Sequence, residues 1–335
     1  MRFGLALPQY GFSLPGGEVG FAATAAWARR AEDLGFDSVW LSDHFFYTFA
    51  RYGGDPKPIA AIEPMTALAG IAAITSRVRM GTLVLCAPFR QPALLAKMAV
   101  TIDRLSDGRL DLGFGAGWLE EEFDAFGFPF GSVGERFAAL EDTLAAVSAL
   151  QSGEPATYAG TGFTLREARL NPAPANGRVP IWVGGKGGPR LLRLIAAYAD
   201  GWNVVWRVDP RSYPARVEAA RSAFEAAGRD PATLRLSVGL YSLVGDDEET
   251  ARAAFDRGRA RFPGDAMGDD TWASWRADTL SGSPEQVIER VRRFEELGVE
   301  ELVISPSVLP FAVDDPASLD VLAEGVMAPL RAASS

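Results

Sequence analysis

The sequence predicts a closed barrel of eight parallel strands wrapped by helices, (β/α)8 with insertions, and three observations carry that reading. Short β-branched or apolar runs alternate with longer helical patterns along the chain, the signature of a parallel α/β fold. The runs fall at residues 2–7, 37–42, 78–86, 109–114, 179–184, 201–206, 234–244 and 299–305, and eight is the number that closes a barrel. A length of 335 residues suits one barrel with long loops, and no repeat beyond the βα alternation marks a second unit, so residues 1–335 read as a single domain.

Helical patterns fill most of the gaps. Residues 21–34 end at Gly35, a C′ glycine placed just before the second strand. Residues 92–105 follow the third strand, and residues 284–297, closed by Gly298, precede the eighth. Ser283, Pro284 and Gln286 supply a cap, a proline at N1 and a glutamine at N3, a capping-box arrangement. Three connections are longer than a barrel needs. Residues 43–63 follow strand two and hold His44, Phe45, Phe46, Tyr47, Phe49 and Tyr52. Residues 115–178 follow strand four, with a helix near 134–150 and a hairpin near 156–170. Both leave strand C-terminal ends, the catalytic face of such barrels. Residues 263–282 carry Trp272 and Trp275 but start from a helix end, a less favourable origin for a lid.

Composition narrows the function classes. At 48% hydrophobic and 23% charged the chain is globular, with material for a large core. Its one cysteine, Cys86, excludes an intrachain disulfide and a thiolate metal cluster. The start reads as a strand rather than a signal peptide, and no apolar stretch reaches the ~18 residues of a membrane span, so a cytoplasmic location is expected. A dispersed net charge of -10 argues against nucleic acid, whose phosphates demand a basic face.

Ser42, Asp43 and His44 close strand two. His44 is the sole histidine, so no multi-histidine metal site exists and no metal is expected. At a strand C-terminus it sits near the barrel mouth, where an imidazole suits proton transfer near neutrality; an ordinary hydrogen-bonded loop histidine is the other reading. Gly113, Gly115 and Gly117, followed by Trp118, either allow close approach of a bulky ligand or form a tight barrel corner. They open an insertion, not a dinucleotide-binding helix. Strand five runs into Gly184, Gly185, Lys186, Gly187 and Gly188, then a helix from about Pro189. Backbone N–H groups at a helix N-terminus make an anion site, and a phosphate-bearing cofactor is its natural ligand. Cys86 reads as a small core residue rather than a nucleophile. Trp118, Trp182, Trp202, Trp206, Trp272 and Trp275 are either core or the wall of an aromatic cavity. Of the acidic run Glu120, Glu121 and Glu122, one carboxylate can face the mouth, and the sequence does not say which.

Asp43-His44, Gly81-Thr82-Leu83-Val84 with Pro88-Phe89-Arg90-Gln91-Pro92, Leu105-Ser106-Asp107-Gly108-Arg109, the Gly113 to Trp118 glycine run, Pro180-Ile181-Trp182-Val183-Gly184-Gly185 and Tyr198-Ala199-Asp200-Gly201-Trp202-Asn203 occur in this order over residues 1–305. Together they resemble the luciferase-like monooxygenase superfamily, and Ser42-Asp43-His44-Phe45 is similar to its coenzyme F420-dependent branch. The resemblance implies a bacterial luciferase-like barrel and an oxidoreductase that moves a hydride between the deazaflavin and a small substrate. It casts His44 as proton donor or acceptor, with Asp43 orienting it. It also implies a non-proline cis peptide at Leu83–Val84 behind the cofactor ring. Leu83, Val84, Gly115, Gly117, Gly184, Gly185, Lys186, Gly187 and Gly188 would then hold the cofactor, and Phe45, Trp118 and Trp206 would wall the substrate pocket. Sugar-phosphate dehydrogenases of the branch place a glutamate after the strand-four glycines where this chain has Trp118, which argues against sugar-phosphate oxidation, and an uncharged or aromatic substrate fits the tryptophans and phenylalanines better. The same fold accommodates FMN, as a monooxygenase fed by a partner flavin reductase, or a non-catalytic flavin-binding role. A homodimer is the expectation from the resemblance.

Overall fold

The eight apolar runs are buried on both sides, and their side chains divide by alternation as pleated strands require. Val39, Leu41, Ile181, Val183, Leu302 and Ile304 pack outward beneath the helices, while Trp40, Trp182 and Val303 belong to a separate inner cluster. The computed structural model describes residues 1–17 and 19–333. Its barrel strands are β1 (Arg2–Ala6), β2 (Ser38–Leu41), β3 (Arg79–Thr82), β4 (Leu110–Gly115), β5 (Ile181–Gly184), β6 (Gly201–Val204), β7 (Arg235–Val244) and β8 (Glu301–Ser305). Each pairs in parallel with the next, and β8 returns to β1 with Arg2 opposite Glu301, closing the ring.

Large and small residues interlock inside. A Cβ on Gly81 would stand 2.4 Å from the Trp40 ring, and one on Gly201 would stand 2.3 Å from Trp182, so these glycines make the room the indoles fill. Polar groups of this interior are paired: Trp40 Nε1 donates to Ser38 at 2.7 Å, Ser38 donates to buried Glu301, and Trp182 Nε1 donates to Asp111 at 3.1 Å. Burial raises the Glu301 carboxyl above its ordinary range, against the opposing charge of Arg2 and the Ser38 hydrogen bond.

The helices and hairpin fall within a residue or two of the sequence reading: Phe21–Asp33, Pro92–Leu105, Val133–Leu150 and Pro284–Glu296, with hairpin strands Ala156–Gly160 and Phe163–Ala168. The Ser283–Gln286 capping box is formed. Two strands end two or more residues before their apolar runs do. The run 78–86 stops at Thr82, whose hydroxyl bonds both the N–H and the carbonyl of Gly113, then bulges through a cis Leu83–Val84 peptide before pairing resumes at Leu85–Cys86. The run 201–206 ends at Val204, and Val205–Trp206 is a second cis peptide.

The third long connection also reaches the mouth, which its origin in the sequence did not suggest. Asp265 N–H donates to the Tyr52 carbonyl at 2.9 Å, and Gly264 and Pro263 lie against Tyr52 and Gly54. The segment thereby buttresses the loop after β2. Among the described residues, no helix is long and apolar enough to cross a membrane.

Candidate active site

The strand C-terminal ends converge on a cavity of about 620 Å³. Its wall takes Asp43 and His44 from the end of β2, Leu83 to Cys86 from the β3 bulge, Gly115 to Leu119 from the end of β4, Gly184 to Lys186 from β5, and Trp206 from beyond β6.

His44 is held by a carboxylate, and that carboxylate is Glu122. Its Oε1 bonds His44 Nδ1, while its Oε2 accepts the Phe45 backbone N–H at 2.7 Å. Glu122 is 1% exposed, and it comes from the short helix Glu120–Phe126 that follows the β4 glycines. The expectation that Asp43 orients His44 is therefore corrected. Asp43 faces the other way, taking the Arg90 guanidinium at 2.9 Å and the Cys86 N–H at 2.9 Å. Arg90 also binds Glu63. Burial opposes the charge on Arg90, but the hydrogen bonds and charges of Asp43 and Glu63 outweigh it and push its pKa up. Asp43 thus ties β2 to the β3 bulge, a structural part. The loop divides this way because adjacent residues of an extended strand end point to opposite sides.

With Nδ1 engaged, His44 Nε2 makes no hydrogen bond to the described residues, and the side chain lines the cavity. A carboxylate on one ring nitrogen fixes the tautomer and leaves the other nitrogen to exchange protons. Glu122 was visible in the sequence only as one of three adjacent glutamates; its helix turn decided which one points inward.

The alternate glycines of β4 serve the protein's own chain. A Cβ on Gly113 would stand 2.1 Å from the Thr82 carbonyl, and one on Gly115 would stand 2.7 Å from Val84. Gly184 faces the same side chain, 2.7 Å from Val84 Cγ1. These three positions make room for the β3 bulge, which then forms part of the cavity wall. Gly117 has φ +77° and abuts Cys86 and Phe123.

On the β5 loop, Gly184, Gly185 and Lys186 line the cavity, while Gly187 and Gly188 lie off its wall. A Cβ on Gly187 would meet Trp202 at 2.7 Å. Gly188 caps the helix Pro189–Tyr198, as the strand–glycine–helix pattern indicated. Arg216, which no local motif marks, joins them from the helix Tyr213–Ala226, donating to the Lys186 carbonyl at 3.1 Å and lying over the Trp202 ring.

Five of the six tryptophans divide between core and cavity wall, and the sixth, Trp272, is half-buried away from the cavity and donates to Glu248 at 2.9 Å. Trp182, Trp202 and Trp275 are core, whereas Trp118 and Trp206 line the cavity. Trp118 meets His44 edge-on at 5.7 Å, and Trp206 stacks on Tyr241 at 5.7 Å. Phe45 departs from expectation. It stacks on Phe126 at 4.3 Å and packs against Phe89 and Phe128, so it supports the outer side of the loop rather than the pocket. Tyr10, Tyr47 and Tyr241 complete the aromatic wall, and burial raises all three phenols, keeping them neutral. The Cys86 thiol is likewise pushed up, chiefly by burial and then by Asp43 and Glu122, in keeping with a packing residue.

The sequence profile of luciferase-like monooxygenases matches residues 1–301. A phthiodiolone/phenolphthiodiolone dimycocerosates ketoreductase of Mycobacterium tuberculosis is 30% identical over 301 residues, which is 85% of this chain and 76% of that protein. The fold is shared with an F420-dependent secondary alcohol dehydrogenase solved with an F420–acetone adduct, at TM-score 0.78 and 21% identity over 98% of each chain. It is shared also with an EDTA monooxygenase of Chelativorans sp. BNC1, at TM-score 0.82 and 16% identity over 99% of this chain and 93% of the other. At these identities the structural likeness speaks for the fold alone.

Proposed function

The chain belongs to the luciferase-like monooxygenase family and is an oxidoreductase, and from that premise we propose that it uses coenzyme F420 to interconvert a carbonyl and an alcohol on a small substrate with an aromatic or apolar body. The observation that carries this reading is the pairing of buried Glu122 with the sole histidine, His44, on the wall of a ligand-sized cavity. The ketoreductase relative supports the reaction class, and the fold is one that an F420-dependent alcohol dehydrogenase also has.

The residues present fit such a cofactor. The Leu83–Val84 bulge, with Gly184 and Gly185 beside it, offers an apolar backing for a flat ring. Lys186 has no ion pair with any described residue, and with Arg216 it offers positive charge for a phosphate. When bound, a deazaflavin supplies a carbon that gives or takes a hydride and does not activate oxygen.

The protein's part is proton management and exclusion of water. In the reductive direction a protonated His44 gives its Nε2 proton to the oxygen of the forming alcohol, while the Glu122 carboxylate stabilises the cation until that transfer. In the oxidative direction neutral His44, protonated at Nδ1 toward Glu122, accepts the hydroxyl proton at Nε2. The raised phenols of Tyr10 and Tyr47 act as neutral walls, not as bases. Trp118 and Trp206 offer faces against which an apolar body packs.

The test is titration of purified protein with F420 and, separately, FMN, read by fluorescence quenching, followed by His44→Ala. Micromolar or tighter F420 binding, weak FMN binding, and a variant that binds F420 but loses most turnover support the proposal. The reverse cofactor preference makes the chain an FMN monooxygenase that needs a partner reductase, and unchanged turnover in His44→Ala removes the histidine from the chemistry.

A further inference from the structure

The loop after β2 presents a cation that the chemistry above does not use. Arg51 lies on the single turn Ala50–Tyr52 and lines the cavity, with its guanidinium 5.1 Å from the centre of the Trp118 ring. No hydrogen bond or ion pair joins its side chain to any described residue. Elsewhere guanidiniums at comparable loop positions are saturated: Arg90 holds Asp43 and Glu63, and Arg207 holds Asp270 and Asp278.

The turn that carries Arg51 is framed by the backbone. Tyr52 and Gly54 N–H groups donate to the Phe49 carbonyl, at 2.8 and 3.0 Å. Gly53 takes φ +76°, and Asp265 N–H clamps the Tyr52 carbonyl from the other long loop. Arg51 is therefore offered from a defined position beside Trp118, on the His44 side of the cavity.

Charge accounting on the wall points the same way. Its two carboxylates, Asp43 and Glu122, are already committed to Arg90 and to His44 with Phe45 N–H. The charged groups left without a counter-ion are Arg51, Lys186 and Arg216, all positive, in a chain whose net charge is -10. Lys186 and Arg216 sit together at the β5 loop, whereas Arg51 stands apart from them with Trp118. A second anion is thus provided for, at the mouth.

We infer that Arg51 is an anion-recognition residue that binds a carboxylate of the ligand while Trp118 packs against the adjoining apolar part. A guanidinium stacked on an indole keeps its N–H edges available, and those edges match a carboxylate in bidentate fashion. The inference deepens the proposed function and rests on it only in taking this cavity as the ligand site. The carboxylate belongs either to the substrate or to the carboxylate-bearing side chain of the cofactor.

The experiment compares wild type with Arg51→Gln, whose exposed position leaves folding unburdened. Calorimetric affinities are measured for 3-benzoylpropanoate and its methyl ester. Fluorescence titrations are run with F420 and with the deazaflavin 5′-phosphate that lacks carboxylates. A charge-assisted contact of this kind predicts a loss of about tenfold. If wild type prefers the acid to the ester about tenfold and the variant does not, with ester affinity unchanged, the carboxylate is the substrate's. If the variant instead loses about tenfold for F420 but not for the 5′-phosphate, it is the cofactor's. If neither comparison moves, or if ester and acid weaken alike, the inference falls. Absence of F420 binding to wild type sinks the proposed cofactor instead, and the acid–ester comparison still decides Arg51.

Discussion

Replacing Glu122 with glutamine tests the His44 assignment at the level of a single proton. The two oxygens of Glu122 have different duties, one on His44 Nδ1 and one on the Phe45 backbone N–H. A backbone N–H can only donate, so in Glu122→Gln the amide oxygen must remain on Phe45. The amide NH2 then faces His44 Nδ1, which must accept, and the imidazole proton is driven to Nε2. Glutamine therefore preserves shape while reversing the tautomer and removing the charge that stabilises a protonated ring. Loss of a hydrogen bond to a charged group costs about 1.5–3 kcal/mol. At 1.4 kcal/mol per decade that is roughly 10- to 100-fold in turnover. Because His44 is the sole histidine, long-range 1H–15N NMR of histidine-labelled protein reads its tautomer without assignment ambiguity. The expected result is Nδ1–H in wild type, Nε2–H in Glu122→Gln, a 10- to 100-fold fall in turnover, and F420 affinity unchanged. An Nδ1–H ring in the variant, or full turnover with a reversed tautomer, refutes the argument. Glu122→Asp, which keeps the charge on a shorter arm, should restore the wild-type tautomer in part.

Two further outcomes follow from the packing around the cavity. In Gly184→Ala the new methyl would stand 2.7 Å from Val84 Cγ1, so overpacking should cost about 1–3 kcal/mol in urea unfolding and weaken cofactor binding; an unshifted midpoint would contradict the tight fit of bulge and strand. Glu63 caps the helix Pro64–Ile74 by accepting from Met65 and Thr66, and it binds Arg90. Burial raises its carboxyl, but the Thr66 bonds and Arg90 outweigh that and hold it below the usual range. A folded value below the unfolded one stabilises above about pH 4.3, and the benefit is lost as pH falls through the folded value. Wild type should therefore exceed Glu63→Gln by about 1 kcal/mol at pH 7, with the gap closing on acidification below about pH 4. A gap that widened on acidification would reverse the sign of the argument.

Much of the fold was legible because barrel strands are repetitive in a local way. An apolar run, a turn residue and a capped helix recur within a few tens of residues, as Ser283, Pro284 and Gln286 show at the last helix. The strand ends were less legible. The run 78–86 is mostly apolar, yet regular strand pairing ends at Thr82 and resumes at Leu85, because the Thr82 hydroxyl and the room left by Gly113 and Gly115 settle where the chain bulges. The site divided similarly. His44, Trp118, Trp206 and the Gly184-Gly185-Lys186 segment line the cavity. Phe45 does not, since Phe89, Phe126 and Phe128 offer it a larger apolar surface than the cavity does.

The sequence by itself determined the βα order, the sole histidine and a loop rich in backbone N–H groups. Those properties depend on neighbours within one turn or one strand. Only the tertiary structure decided which acid serves His44, because Asp43 is adjacent in the chain but points toward Arg90, whereas Glu122 is 78 residues away and arrives on a separate helix. It alone also left Arg51 without a counter-ion and brought Arg216 to Lys186, since a charge is paired or free according to what folds beside it.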